Sequence, residues 1–337
     1  MKKAVSLLMA AAMGMGLAAC GGTTAQSGST ASSAAAGTAE TGGSGYTVGI
    51  CQQVPHEALD QATQGFKDAL VEAFGEDGVT IDEQNAQGDS NTCSTIINGF
   101  VSGGYDLIMA NGSSALQAAS AGTADIPILG TSVTEYGVAL GIDDFTGTVG
   151  GNISGTSDLA PLDQQAQMLA DFFPVDQYPN VGMLYCSGEP NSDYQVEQVT
   201  NYLTEMGYTV EDYSFSDSND LATVATNASI GCDVIYIPTD NTVASNTEII
   251  NNICLPAQVP VIAGEKGICA GCGVATLSIS YYELGYTTGE MAVKILKGEA
   301  EVSTMPIEYA PSLTKMYNPA NCEELGITVP EDYVAIE

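Results

Sequence analysis

The sequence predicts an α/β protein of two doubly wound, parallel-sheet lobes joined by three crossovers. Three observations carry that expectation. Short apolar runs alternate with segments whose apolar residues recur at helical spacing, which is the pattern of repeated β-α units. After the glycine-rich stretch 147–155 the alternation starts again, so the second half repeats the plan of the first. Residues 46–337 are also long enough for two domains at roughly 100–200 residues each.

In chain order, Lys2 and Lys3 precede an apolar run over 4–17 that is too short to span a bilayer, so residues 1–19 read as an export signal. The run ends in LAAC, with Gly21 after it, and this resembles the lipobox of bacterial lipoproteins, which makes Cys20 the expected lipidation site. Residues 20–45 then form the anchor and a flexible tether: from 21 to 45 everything is Gly, Ala, Ser or Thr except Gln26 and Glu40, with nothing to bury.

The body opens with YTVGIC (46–51) as a buried strand, followed by a helix whose stripe is Leu59, Ala62, Phe66, Leu70 and Phe74. VTIDEQ, YDLIMA and IPILGTSV repeat the strand, with helices through Ile96, Ile97 and Phe100 and from Ser113 onward. These are apolar runs rather than alternations, as expected where helices cover both faces of a parallel sheet. Past the glycines come a helix over 161–173, NVGMLYC, a helix through Val199 and Leu203, YTVEDYSF, a helix over 221–228, CDVIYIP, a helix over 243–253, and VPVIAG. GVATLSIS, a long helix over 281–297 and the strand MPIEYA remain, and the long helix is assigned back to the first lobe. The expected lobes are therefore 46–152 with 281–304, and 153–280 with 305–337. Three crossovers favour hinge closure over free tumbling.

Composition excludes several functions. The formal net charge is −34, so nucleic acid and anionic lipid surfaces are repelled. All seven basic residues are lysine, and with no guanidinium fork available phosphorylated ligands are disfavoured. His56 is the only histidine, and no GxSxG elbow, P-loop or strand-linked GxGxxG occurs. No enzyme activity, cofactor or metal is expected: DSND (217–220) starts like a calcium loop but lacks its sixth-position glycine. Cys269 and Cys272 form a CxxC that reads as lying in a loop, where a redox pair or a local disulfide is conceivable. Cys51, Cys93, Cys186, Cys232, Cys254 and Cys322 read as small buried apolar residues.

In open parallel sheets, ligands sit beyond the carboxyl ends of the strands. At those ends this chain is polar. The first lobe offers Gln53, His56, Asn85, Ser113, Ser132 and Thr134, and the second offers Glu189, Asn191, Ser192, Asp240, Asn241 and Glu265. Ser113, Ser192 and Asn241 have a competing reading as helix N-caps.

The segments HEALDQATQGFKDAL (56–70), IDEQNAQGD (81–89), GTSD (155–158), PNSDYQVE (190–197), PTDNTVAS (238–245), AGEKG (263–267) and YYELGYTTGEMAVKILKG (281–298) resemble the aromatic-amino-acid-type substrate-binding lipoproteins of ABC importers. The likeness runs over essentially all of 46–337, departing at Cys51, Cys186, Cys269 to Cys272 and the IDDF stretch. It implies a type I periplasmic-binding-protein fold, tryptophan, tyrosine or phenylalanine as ligand, and permease and ATPase subunits on other chains. The expected molecule is a monomer held at the outer face of the cell membrane only through its lipid. Sugar or nucleoside ligands, or a sensing role feeding a signalling receptor, are the alternatives.

For such a zwitterion, Asp240 and Glu265 are the expected acceptors of the ammonium group. The carboxylate falls to hydroxyls and helix-start N–H groups at Ser113, Ser132, Thr134, Asn191 and Ser192. Tyr185, Tyr194, Tyr281 and Tyr282 are candidate ring partners, with core packing as the competing reading.

Overall fold

The structure, a computed structural model, describes residues 45–337. The export signal, Cys20 and the tether up to residue 44 lie outside the described residues. The first half runs β1 (Tyr46–Gln52), α1 (Glu57–Phe74), β2 (Val79–Asn85), α2 (Ser90–Gly103), β3 (Leu107–Asn111), α3 (Ser113–Gly122), β4 (Ile128–Val133), α4 (Tyr136–Leu140) and β5 (Ile153–Ser157). The second continues with α5 (Leu162–Phe172), β6 (Asn180–Cys186), α6 (Pro190–Glu205), β7 (Thr209–Phe215), α7 (Ser218–Gly231), β8 (Val234–Ile237), α8 (Asn241–Ala244), α9 (Thr247–Cys254), β9 (Val261–Ala263), α10 (Lys266–Cys272) and β10 (Ala275–Ile279). The tail adds α11 (Tyr281–Leu296), β11 (Glu308–Tyr309), β12 (Leu313–Tyr317), α12 (Pro319–Glu324) and β13 (Val334–Ala335).

Among the described residues these strands make a six-stranded sheet, β11-β5-β4-β3-β1-β2, and a seven-stranded sheet, β13-β12-β10-β9-β8-β6-β7. The first is parallel throughout, and the second is parallel except where β12 runs against β10. Successive strand residues feed opposite faces, which explains the unbroken apolar runs. Val48, Ile50, Leu107 and Met109 pack with Phe66, Leu70 and Met291 on one side. Cys51, Ile108 and Ala110 pack with Ile97, Phe100 and Leu116 on the other. The second sheet is covered the same way, with Met183 and Tyr236 against Leu169 and Leu203, and Leu184 and Ile235 against Leu221 and Ile250.

Helix α11 returns to the first sheet and lies directly on α1. A methyl group at Gly65 or Gly285 would collide with the carbonyls of Tyr282 and Ala62 respectively, so only glycine lets the two helices approach this closely.

Strand pairing carries two of the three crossovers further along the chain than expected. β5 pairs with β4, and β11 pairs with β5 through Glu308 and Thr156, so both belong to the first sheet. The chain therefore crosses at 158–161, at Ser280 and at 310–312. β5 reads ISGTS, with a single large apolar residue to announce it, and β11 is an edge strand defined only by its partner. The helix expected over 243–253 is two helices, because Asn246 leaves helical geometry at ψ 24. Cys269 and Cys272 lie within α10 rather than in a loop, since Glu265 caps a helix there. Both are buried free thiols, as are Cys51, Cys93, Cys186, Cys254 and Cys322, while Cys232 is partly buried.

Candidate functional site

The carboxyl ends of β1, β4 and β5 face those of β6, β8 and β9 across a cleft. At its centre is a small, closely walled cavity. The first sheet contributes Ser132 and Thr134 after β4 and Asp158 after β5, with His56 and Leu59 from the start of α1. The second contributes Asn191, Thr239, Asp240, Asn241, Ala244 and Glu265, and Tyr281 opens α11 on the third side. Seven residues expected from the sequence meet here: His56, Ser132, Thr134, Asn191, Asp240, Asn241 and Glu265.

Three buried side-chain atoms in this wall have no hydrogen-bond partner: Ser132 Oγ, Asp158 Oδ1 and Asn191 Oδ1. Their residues are only 5%, 5% and 6% exposed. Leaving a buried polar atom unpaired costs about 1–3 kcal/mol, so three around one void mark a place built for a guest. Local geometry aims each of them. The β4–β5 register shifts between Gly130 and Val133, and Ser132 inside that irregularity holds a φ of 53°, strained for a residue with a Cβ. Tyr281 donates its hydroxyl to Asp158 Oδ2 at 2.9 Å, leaving Oδ1 free. Asn191 Nδ2 donates to the Thr239 carbonyl at 2.9 Å, which turns Oδ1 the other way.

The other two acids are held differently. Asp240 Oδ1 accepts from Val243 N at 2.8 Å, capping α8, and Oδ2 accepts from Cys186 N at 2.7 Å and Ser192 Oγ at 2.8 Å. Glu265 caps α10 by accepting from Gly267 N and Ile268 N. Burial pushes Asp240 up to about 7, with the neighbouring Glu189 adding to the rise and the three donors opposing it. Burial likewise carries Glu265 to about 7 against its two backbone donors. Asp158 is raised by burial too, opposed by the hydroxyls of Thr134 and Tyr281.

The two lobes touch across this site. His56 Nε2 lies 3.1 Å from Asn241 Oδ1, and because Asn241 Nδ2 donates to Glu189 Oε2, the histidine carries its proton on Nε2. Burial lowers the His56 pKa, opposed by that bond and by the nearby carboxylates of Glu189, Asp60 and Glu57. Ser245 Oγ donates to the Pro55 carbonyl at 3.4 Å, and Lys266 Nζ meets Glu57 Oε1 at 2.8 Å.

The remaining expected residues stand back from the central cavity. Gln53 and Glu189 line a second, more open polar recess. Gln53 Oε1 accepts from Ser114 N at the start of α3, and Glu189 accepts from Asn241 and Thr242. Asn85 braces the turn at Gln87, Ser113 is buried inside the first turn of α3, and Ser192 sits behind Asp240. None of Ser113, Ser192 and Asn241 is an N-cap: the capping positions are Gly112, Glu189 and Asp240. Tyr282 departs most from expectation. One step along α11 from Tyr281, it is rotated out of the cleft, 39% exposed, with its hydroxyl on Asp68. Tyr185 packs in the second-lobe core and Tyr194 packs against it.

Asp158, Leu59 and Ala244 were not among the expected site residues, and Tyr281 figured only as a ring partner. The usable signal for Asp158 was its place directly after a strand, but that strand was hidden among glycines.

Two α/β lobes with three crossovers and a polar cavity between facing strand ends define a receptor that closes over a small solute. The chain belongs to the ABC transporter substrate binding protein family, whose pattern matches residues 47–336. It is 35% identical, over 262 residues that span 77% of this chain and 75% of the relative, to a tyrosine-binding protein of Clostridioides difficile (strain R20291). Among solved structures, an ABC domain from Streptococcus pneumonia in complex with L-Trp overlays with a TM-score of 0.80 at 31% identity, covering 86% of this chain and 97% of that one. A ligand-free, open substrate binding protein with adhesive properties from Clostridium difficile overlays at 0.66 with 37% identity, covering 87% and 99%. The fold is the type I periplasmic-binding-protein fold, and the family consists of binding proteins, not enzymes. They work outside the cytoplasm with ABC transporter components. The better overlap with the liganded structure, despite lower identity, agrees with the contacts that join the lobes here.

Proposed function

We propose that this protein captures an aromatic amino acid in the central cavity and delivers it to an ABC permease on other chains. The observation that carries the reading is the convergence of Ser132 Oγ, Asp158 Oδ1 and Asn191 Oδ1, all buried and unpaired, on one void. Asp158 supplies the negative charge for the ammonium group, Asn191 adds a second acceptor, and Ser132 faces the carboxylate. Tyr281 and Leu59 offer apolar surface beside them. The named ligands of the relatives, tyrosine and L-Trp, support the aromatic side chain.

A ligand that touches both lobes favours the closed form, with the three crossovers acting as hinges between one lobe ending at β5 and resuming over α11 and β11, and the other formed by the rest. The chain acts as a monomer, held to the outer face of the cell membrane by lipid on Cys20. A Cys20→Ala variant recovered in the soluble fraction would support that anchor, and one that stays with membranes would overturn it.

A thermal-shift screen over amino acids, nucleosides and sugars tests the ligand class, since only a ligand of the native state raises the melting temperature. Tyrosine, tryptophan or phenylalanine should give the largest shift. A larger shift with a sugar or nucleoside would move the protein to that class.

A further inference from the structure

The strand end that carries Ser132 is held by a buried phenol that stands outside the cavity. Pairing of β4 with β5 matches Gly130 to Gly155 and then Val133 to Ser157, so β4 uses one residue more than its partner across this stretch, and Thr156 alone faces Thr131 and Ser132. Such a bulge re-aims the side chains around it. Ser132 keeps its φ of 53° there, and a residue with a Cβ stays in that region only where its surroundings impose it. The Ser132 hydroxyl imposes nothing, since its Oγ is free in the cavity wall. The constraint acts on the backbone.

Tyr136 supplies it. The residue opens α4, is 1% exposed, and sends its hydroxyl back to the bulge to donate to the Thr156 carbonyl at 3.0 Å. Room for that hydroxyl exists because both strands have glycine there: a Cβ on Gly130 or on Gly155 would stand 2.5 Å from Tyr136 Oη. Phe145 stacks on the ring with 6.5 Å between centroids. The loop beyond the bulge has fastenings of its own, from Ser157 Oγ to the Thr134 carbonyl at 2.7 Å and from Asp158 N to the Val133 carbonyl at 3.3 Å. Across the bulge itself Thr131 Oγ1 meets Thr156 Oγ1 at 3.1 Å, which joins two side chains. Tyr136 is the side chain that grips the Thr156 backbone.

We propose that Tyr136 is a positioning residue of the binding site: its hydroxyl locks the β4–β5 bulge and so fixes the direction in which Ser132 Oγ meets the guest. This rests on the reading of Ser132 as a ligand contact. Tyr136 itself stands behind the wall and acts only through the strand.

Tyr136→Phe removes the hydroxyl and keeps the ring, and titration calorimetry of the full chain with L-tyrosine and L-tryptophan reads the effect, with folding checked by thermal melting. Affinity for the better ligand should fall about three- to tenfold well below the melting temperature, the range that one neutral hydrogen bond spans. A residue that only stabilised the fold would lower the melting temperature and leave that affinity alone. A double-mutant cycle isolates the route: with Ser132→Ala already in place, Tyr136→Phe should cost less than about twofold more. Unchanged affinity in the single variant, or losses that multiply independently in the double one, overturns the inference while the proposed function stands.

If neither amino acid binds, the proposed function fails, and hydrogen exchange of the ligand-free chain decides the clamp by itself. The amides of Ser132, Val133 and Thr134 should exchange at least about tenfold faster in Tyr136→Phe, beyond any change shared by β1 and β3, because local opening precedes exchange. Rates that change equally in all three strands overturn the inference on that readout too.

Discussion

Behind the cavity wall, the first lobe's buried polar side chains are neutral and mostly tied to one another, whereas the second lobe presents acids bound to backbone N–H groups. On the first side, Thr63 Oγ1 donates to Gln52 Oε1 at 2.7 Å and Asn111 Nδ2 donates to Thr63. Behind them Thr131, Thr156 and Thr288 chain their hydroxyls together. On the second side, Asp240 and Glu265 cap helices, and Glu189 holds the start of α8. The second lobe's acids shape the wall and set its potential. In the cavity wall, the buried atoms still waiting for a partner are those of Ser132 on the first lobe, Asn191 on the second and Asp158 on the crossover between them. The contrast teaches that an acid in a binding wall is not by that fact the ligand's anchor, because its hydrogen bonds can already be committed.

The sharpest way to break this comparison is Asp158→Asn against Asp240→Ala. Asp158→Asn should cost about 2–4 kcal/mol of affinity for the best ligand, with little loss of fold stability, since a buried charge becomes an isosteric amide. Titration calorimetry and denaturant melts read the two quantities. Asp240→Ala strands Cys186 N, Val243 N and Ser192 Oγ, and should cost about 1–3 kcal/mol of stability with a smaller loss of affinity. If Asp240→Ala proves the worse binder, the roles are exchanged.

A third test uses pH. Asp240 and Glu265 have folded values near 7, above their unfolded values of about 4, so the folded state binds more protons between those limits. Stability of the ligand-free protein should therefore fall as pH rises from about 4 to 7 and level off above. The many surface acids push the same way, so Glu265→Gln is the control: its stability should decline less steeply. An unchanged slope would mean that Glu265 is already ionised in the fold.

Ser132→Gly should gain about 0.5–1 kcal/mol of stability by relieving the φ of 53° and lose about as much binding energy with the hydroxyl. The smallest effect belongs to Lys266→Ala. That cross-cleft pair is 35% and 45% exposed, so its loss should change affinity by less than about 1 kcal/mol, and less still in high salt.

Much of this was legible in the residues. Apolar runs of four to seven residues between helical stripes can only be strands covered on both faces, and the repeat of that plan sets two lobes with polar strand ends. Those ends named seven residues of the central cavity. What the chain alone left undecided is which polar atoms remain free. Asp240, Glu265 and Asp158 are the same chemistry on paper, and only the packed structure assigns backbone N–H groups to the first two and leaves an oxygen of the third unpaired. The same limit hid β5 and displaced Tyr282. A strand of small residues is defined by its neighbours, and one step on a helix turns a side chain by about 100°, from cavity to solvent. Secondary structure follows from local pattern, whereas hydrogen-bond occupancy depends on partners far apart in the chain, such as Asp240 with Cys186, and these meet only when both lobes are folded.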